Sequence, residues 1–217
     1  MLIPLKMFAC ASGLASVLCA VGLSGQSVVL QQRLRAELAR SKELDLHHSI
    51  ARLPGLTTAQ RQELIALARK EFPPEAETPE SARQQTSGID DQVRVELIDL
   101  NGDGVAEVIL QPIGSDYCGA TGNCGVLIAE KTSGGYRTLL DRPGVQTITV
   151  ESSNTYGYRD LFLTAHSSAS ESMIYLYRYH AGKYRHAGCF VADWNPPGKP
   201  DVILKSPIIT RCSHGAD

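Results

Sequence analysis

The sequence lacks an excess of charge of either sign. Its 21 Lys and Arg stand against 23 Asp and Glu, a formal net charge of −2 over 217 residues. A nucleic-acid binder neutralises phosphates with a surplus of basic side chains, so this balance excludes one on bulk charge. Apolar runs long enough to cross a bilayer are missing after residue 25, which excludes a polytopic membrane protein. With 43% hydrophobic and 20% charged residues, the chain is not a disordered tail or a collagen-like repeat. Catalytic signatures are also missing. There is no Gly-x-Ser-x-Gly elbow, no glycine-rich phosphate loop and no His-Glu-x-x-His. Six histidines are present, but His47, His48, His166, His180, His186 and His214 stand in no activating context. His47-His48 reads as the end of a helix, where imidazolium favours the carbonyl dipoles. Tyrosine and tryptophan are absent before residue 117, so the composition changes along the chain.

What is present begins with an address. Met7–Gly25 carry no charge and follow Lys6, the form of a secretory signal over residues 1–25. The alternative is an uncleaved signal anchor in the inner membrane, because the run is about long enough to span. No convincing lipobox precedes Cys10 or Cys19. The expected location is periplasmic or secreted. Past the signal, four cysteines remain, and an even count in an exported chain reads as disulfides. Cys118 and Cys124 flank a flexible five-residue segment and form one expected pair, leaving Cys189 with Cys212. Zinc is the weaker reading, since these spacings are not structural knuckles.

Residues 26–72 read as a helical annex. Leu30, Leu34 and Leu38 recur at spacing four, predicting a helix over Val28–His48 that breaks at Leu53-Pro54-Gly55. A second helix starts after Thr57, with Gln60 in capping-box position and Leu64, Ile65, Leu67 and Ala68 as its apolar face. Pro73-Pro74 ends it. Residues 73–88 read as a linker with one short turn at Pro79. Residues 89–217 read as a β domain of eight strands: 93–98, 105–111, 126–130, 136–140, 145–150, 160–165, 173–179 and 184–191. The fold class is mainly β, an antiparallel meander forming a sandwich, barrel or propeller-like arrangement. Glu107-Val-Ile-Leu110 aligns with Asp160-Leu-Phe-Leu163, and each is followed by a glycine turn and a Tyr-Arg pair, at Tyr136-Arg137 and Tyr184-Arg185. That pattern is a faint internal repeat.

The strongest chemical signal is Asp99-Leu-Asn-Gly-Asp-Gly-Val-Ala-Glu107. Side-chain oxygens fall at alternating positions, and Gly102 and Gly104 permit a tight turn. Calcium takes six to eight oxygens, so Asp99, Asn101, Asp103 and Glu107, with the carbonyl of Val105, form a candidate Ca2+ site. The expected role is structural. Residues 114–125 follow as a loop that the Cys118–Cys124 pair would staple, with Asp116, Tyr117 and Asn123 as candidate partner-binding residues. Strand 173–179 carries Tyr175, Tyr177 and Tyr179, which read as cross-strand packing. A carbohydrate-active or hydrolytic reading would recruit that tyrosine-rich sheet with Asp160 or Glu171.

The Asp99–Glu107 run resembles the calcium loops of EF-hands and of FG-GAP repeats. Position 12 is Leu110 rather than a bidentate Glu, and both flanks are strand-like, so the resemblance is to the β-hairpin, FG-GAP type. The second repeat, Asn154 to Asp160, lacks the ligands. An exported β-meander with such a loop also resembles calcium-binding periplasmic immunity proteins, which are similar in fold to periplasmic lysozyme inhibitors. That resemblance implies a non-enzymatic protein whose partner is another protein, a peptidoglycan-lytic enzyme blocked by an inserted loop. Ser115-Asp-Tyr117 is a partial echo of such a loop. A membrane enters only through an uncleaved signal anchor.

Overall fold

A computed structural model describes residues 32, 34–38, 40–73, 88–114, 117–195, 197–199 and 201–213. The expected signal, most of the linker, Asp116 and His214 lie outside the described residues. The chain is mainly β and antiparallel. Its elements are β1 (Lys42–Glu43), α1 (Thr58–Glu71), α2 (Ile89–Gln92), β2 (Val93–Ile98), β3 (Glu107–Pro112), β4 (Cys124–Thr132), β5 (Gly135–Val145), β6 (Thr147–Thr155), β7 (Tyr158–His166), β8 (Glu171–His180), β9 (Lys183–Asp193) and β10 (Ile208–Arg211). Two sheets form, ordered β2-β3-β4-β5 and β1-β6-β7-β8-β9-β10. The first expected copy, which starts at Glu107, supplies β3 to β5 of the four-stranded sheet, and the second, which starts at Asp160, runs from β7 to β9 in the other.

Strand alternation explains how both sheets are buried on two faces. Along β3, Ile109 faces the core shared by the sheets, while Val108 and Leu110 face α1. In β4, Val126 and Ile128 point into the shared core and Leu127 and Ala129 point to α1. Leu161 and Leu163 of β7 meet the shared core from the opposite sheet, and Phe162 between them points outward. Successive side chains on a strand leave on opposite faces, so one apolar run supplies two cores.

The outer cores are closed by the segment before the β region. Thr57 accepts a hydrogen bond from the Gln60 N–H, and the Gln60 side chain accepts from the Thr57 N–H, completing the capping box. Leu64, Ile65, Leu67 and Ala68 are the buried face of α1, as the spacing predicted. The Arg61 guanidinium donates to the carbonyls of Ile50 and Leu53, and Lys131 pairs with Glu63. On the far side, Leu34 joins Phe162, Ile174, Phe190, Ala192 and Ile209 in the outer core of the six-stranded sheet.

Three expectations are corrected. The helix predicted to reach His48 stops early. Residues 34–38 are helical, a turn follows at residue 40, and Lys42–Glu43 pair with Val150 and Thr149 of β6. Leu44 then donates its N–H to Ile148 and joins the shared core. The open edge of β6 offers backbone partners, and that tertiary gain overrides helix propensity. Strands β1 and β10 bring the total to ten among the described residues, against eight expected. Strands expected at 136–140 and 145–150 make Pro143-Gly144 a turn between them, and it is not one. It is a bulge inside the edge strand β5, where pairing with β4 skips between Cys124 and Val126.

All four hairpin turns, between β2–β3, β4–β5, β6–β7 and β8–β9, lie at one end of the sheets. The connections β3–β4, β5–β6, β7–β8 and β9–β10 lie at the other. Residues Tyr156-Gly157 and Ala181-Gly182 both take positive φ, at 51° and 87° and at 49° and 86°. Two successive left-handed residues match the right-handed twist of the strands they join.

Candidate metal centre and stapled loop

The Asp99–Glu107 segment is the β2–β3 turn. Its acidic side chains are organised by the backbone. Asp99 accepts from the Gly102 N–H at 2.7 Å through Oδ1 and from the Gly104 N–H at 2.9 Å through Oδ2. Asn101 Oδ1 accepts from the Asp103 N–H at 2.8 Å, and Asp103 Oδ1 accepts from the Val105 N–H at 2.7 Å. Each is an Asx turn, which winds the loop around its own carboxylates. Gly102 and Gly104 sit at φ 77° and 85°, the left-handed positions that this winding requires. Glu107 is 2% exposed, and its Oε2 accepts from the Leu100 N–H at 2.7 Å.

Asn101 lies at the focus. Its Nδ2 donates to Asp103 Oδ2 at 3.0 Å, to Glu107 Oε1 at 3.3 Å and to the Tyr158 hydroxyl at 3.2 Å. A partly positive N–H group thus occupies the point toward which the acceptors turn. The protonation tendencies diverge. The Gly104 N–H holds the Asp99 carboxyl below the ordinary range against burial, and Gly102 helps. Burial raises Glu107, with repulsion from Asp103 and Asp99 adding to it and the Leu100 N–H opposing.

Tyr158 was not singled out by the sequence, yet it links this turn to the second sheet. Its hydroxyl donates to Glu130 Oε2 at 2.7 Å. Glu130 in turn pairs with Arg137, whose Nη2 reaches the Tyr179 hydroxyl at 3.5 Å. The Tyr158 and Tyr179 rings stack with centroids 3.9 Å apart, and Tyr184 meets both edge-on. Burial, reinforced by Glu130, raises the Tyr158 phenol well above its ordinary value. The only sequence signal for its role was its position in the hairpin that matches the β2–β3 turn.

Hard oxygens at Asp99, Asn101, Asp103 and Glu107 are the right chemistry for a hard cation. No Lys or Arg pairs with Asp99, Asp103 or Glu107 among the described residues. No three His, Cys, Asp or Glu side chains among the described residues converge as a ready-made metal cluster. The set therefore depends on the Asn101 amide and the Val105 carbonyl as well as carboxylates.

At the other end, Cys118 and Cys124 are bonded across six positions, and Cys189 is bonded to Cys212. Disulfides persist in oxidising compartments, which fits an exported chain. No helix among the described residues is long and apolar enough to cross a membrane. Asn123 is held internally. Its Nδ2 donates to the His166 carbonyl at 2.8 Å and its Oδ1 accepts from the His166 N–H at 2.9 Å, so one side chain imitates a strand and ties the stapled loop to β7. Tyr117 begins the stapled turn with its N–H on the Gly114 carbonyl. It lies in that loop, away from the Asp99–Glu107 turn.

The two alternative acids of the hydrolytic reading lie far apart. Asp160 is 2% exposed and pairs with Arg178, while Glu171 bonds Ser167 at the opposite end of β8. Seven residues of strand separate Arg178 from Glu171, about 23 Å at the usual rise. Tyr177 is buried in the shared core, and Tyr175 and Tyr179 pack against it. Compared with known families, curated proteins and solved structures, the chain gives no match.

Proposed function

We propose that this is a non-enzymatic, exported calcium-binding protein that docks on another protein. The partner would be a peptidoglycan-lytic enzyme inhibited through the 114–125 loop. The observation that carries the calcium reading is the β2–β3 turn. It brings Asp103 and Glu107 to the Asn101 amide and winds Asp99 into the same turn through the Gly102 and Gly104 N–H groups, with no basic partner for these carboxylates among the described residues. A bound Ca2+ would supply the missing positive charge and brace the turn. Asp99, Asn101, Asp103, Glu107 and the Val105 carbonyl would hold it, with Asn101 presenting oxygen instead of nitrogen. Support for the docking reading is the stapled loop. A loop fixed by a disulfide and by Asn123 loses little entropy on binding.

Two measurements test these parts separately. Calorimetric titration with CaCl2, and melting in CaCl2 against EDTA, test the metal. At a hundredfold excess over the Kd, binding stabilises the fold by about 2.7 kcal/mol. Equal melting in both buffers removes calcium from the reading. Titrating the protein into muramidase and amidase assays tests the partner. The expected result is stoichiometric inhibition that Tyr117→Ala weakens about tenfold or more, as for a buried aromatic anchor. Unchanged lytic rates across such a panel would sink the inhibitor reading and leave the calcium reading standing.

A further inference from the structure

The connection from β9 to β10 exposes apolar side chains on a hydrogen-bonded frame. Trp194 is 36% exposed, Val202 45% and Ile203 68%. The frame is well tied. The Trp194 N–H donates to the Ser170 carbonyl, the Leu204 N–H returns to the Trp194 carbonyl at 2.7 Å, and Asn195 Nδ2 donates to the Val202 carbonyl at 3.0 Å. Asn195 itself is 8% exposed, with its N–H on Asp193 Oδ1 at 2.9 Å. The apolar tips are therefore held outward by hydrogen bonds beneath them. Lys199 and Lys205 are exposed beside them, and Asp201 is the exposed acid on the described part of this connection.

The path of the chain bears on what this surface meets. The Arg35 guanidinium donates to the Pro207 carbonyl at 2.7 Å, at the foot of the same connection. Ten positions before Arg35 ends the uncharged run Met7–Gly25. Ten residues reach at most about 35 Å when extended. Were that run kept as the uncleaved signal anchor, the premise on which this inference rests, the chain would enter the sandwich beside the β9–β10 connection and this corner would be the one nearest the lipid.

We propose that the β9–β10 connection is a membrane-docking surface. Trp194, Val202 and Ile203 enter the headgroup layer of an anionic bilayer, and Lys199 and Lys205 meet lipid phosphates. Tryptophan favours that layer, and each lysine near an anionic surface adds modest attraction. The surface is separate from the calcium turn and goes beyond the inhibitor reading.

The sole tryptophan makes the test direct. The full chain is reconstituted into proteoliposomes of brominated phosphatidylcholine, with and without phosphatidylglycerol, and Trp194 emission is recorded. Docking gives a blue-shifted, bromine-quenched Trp194 that is strongest in the anionic lipid. Ile203→Asp alters a side chain outside the core and is expected to weaken docking about tenfold or more. Lys199→Glu with Lys205→Glu is expected to weaken it about fivefold per residue in anionic lipid alone. Emission that is red and unquenched in both lipids overturns the proposal. So does quenching that neither Ile203→Asp nor the lysine changes reduce, because the tether alone then accounts for proximity. Lipid-free self-association abolished by Ile203→Asp would assign the patch to a second copy of the chain and overturn it as well.

Discussion

The two ends of the sandwich are held together by different chemistry. At the hairpin end, Asp99, Asp103, Glu107 and Glu130 are acceptors served by backbone N–H groups, the Asn101 amide, the Tyr158 hydroxyl and Arg137. At the opposite end, a disulfide and the Asn123 amide, bonded to the His166 backbone, do the joining. The first kind of end gathers negative charge. The second is closed by a covalent bond and by hydrogen bonds between uncharged groups.

Changes of pH and of single side chains separate the two ends. The largest expected effect is a pH dependence just below the hairpin end. Glu151 of β6 is 2% exposed, and its Oε1 has no hydrogen-bond partner among the described residues. Burial, with repulsion from Glu37 and Asp160, pushes its carboxyl from 4.5 up to about 7. The native state therefore holds this proton more tightly than the unfolded chain. Stability is highest below the ordinary glutamate range, falls as pH rises from about 4.5 to about 7, and then levels. The full fall is about 3 kcal/mol at most. Urea titrations across pH check it. Glu151→Gln flattens that slope and raises stability at pH 8, and a slope unchanged in the variant would remove Glu151 as its source.

Next in size is Glu107→Ala, which leaves the Leu100 N–H without its acceptor beside a buried gap. The expected loss is about 2–3 kcal/mol in urea midpoint analysis. The same variant should leave Cys118 and Cys124 as resistant to reductant as before. Cys118→Ser with Cys124→Ser should cost about 2 kcal/mol, read as a lower Tm, while leaving the dependence on CaCl2 intact. Smallest is Asn123→Ala, about 1 kcal/mol. Hydrogen exchange should then rise at the His166 amide and stay unchanged at the Leu100 amide. Faster exchange at both amides would mean that the two ends are one cooperative unit.

Local chemistry was the legible part of the sequence. Thr57 and Gln60 signalled their helix because a capping box is closed within four residues. The winding of Asp99–Glu107 and the two cysteine pairings were readable for the same reason of proximity or elimination. What escaped depended on distant partners. Nothing near Leu44 reveals that β6 has an open edge to pair with. Tyr158 joins Asn101 and Glu130 only because two sheets bring residues 57 and 28 positions away to one place. Glu151 and Asp160 look like ordinary surface acids in the sequence. They share the outward face of the six-stranded sheet because Val150 and Leu161 beside them point inward. Asn123 looked available for a partner, and its reach across to β7 is invisible without the fold.

The bulge at Pro143-Gly144 has a consequence for how copies of the molecule behave toward each other. Strand β5 is the outer strand of its sheet, and an outer strand is a template for a second chain. Proline offers no N–H there, and the bulge breaks the regular spacing that a neighbour would need to zip along β5. The irregularity guards the edge against stacking into larger sheets at high protein concentration.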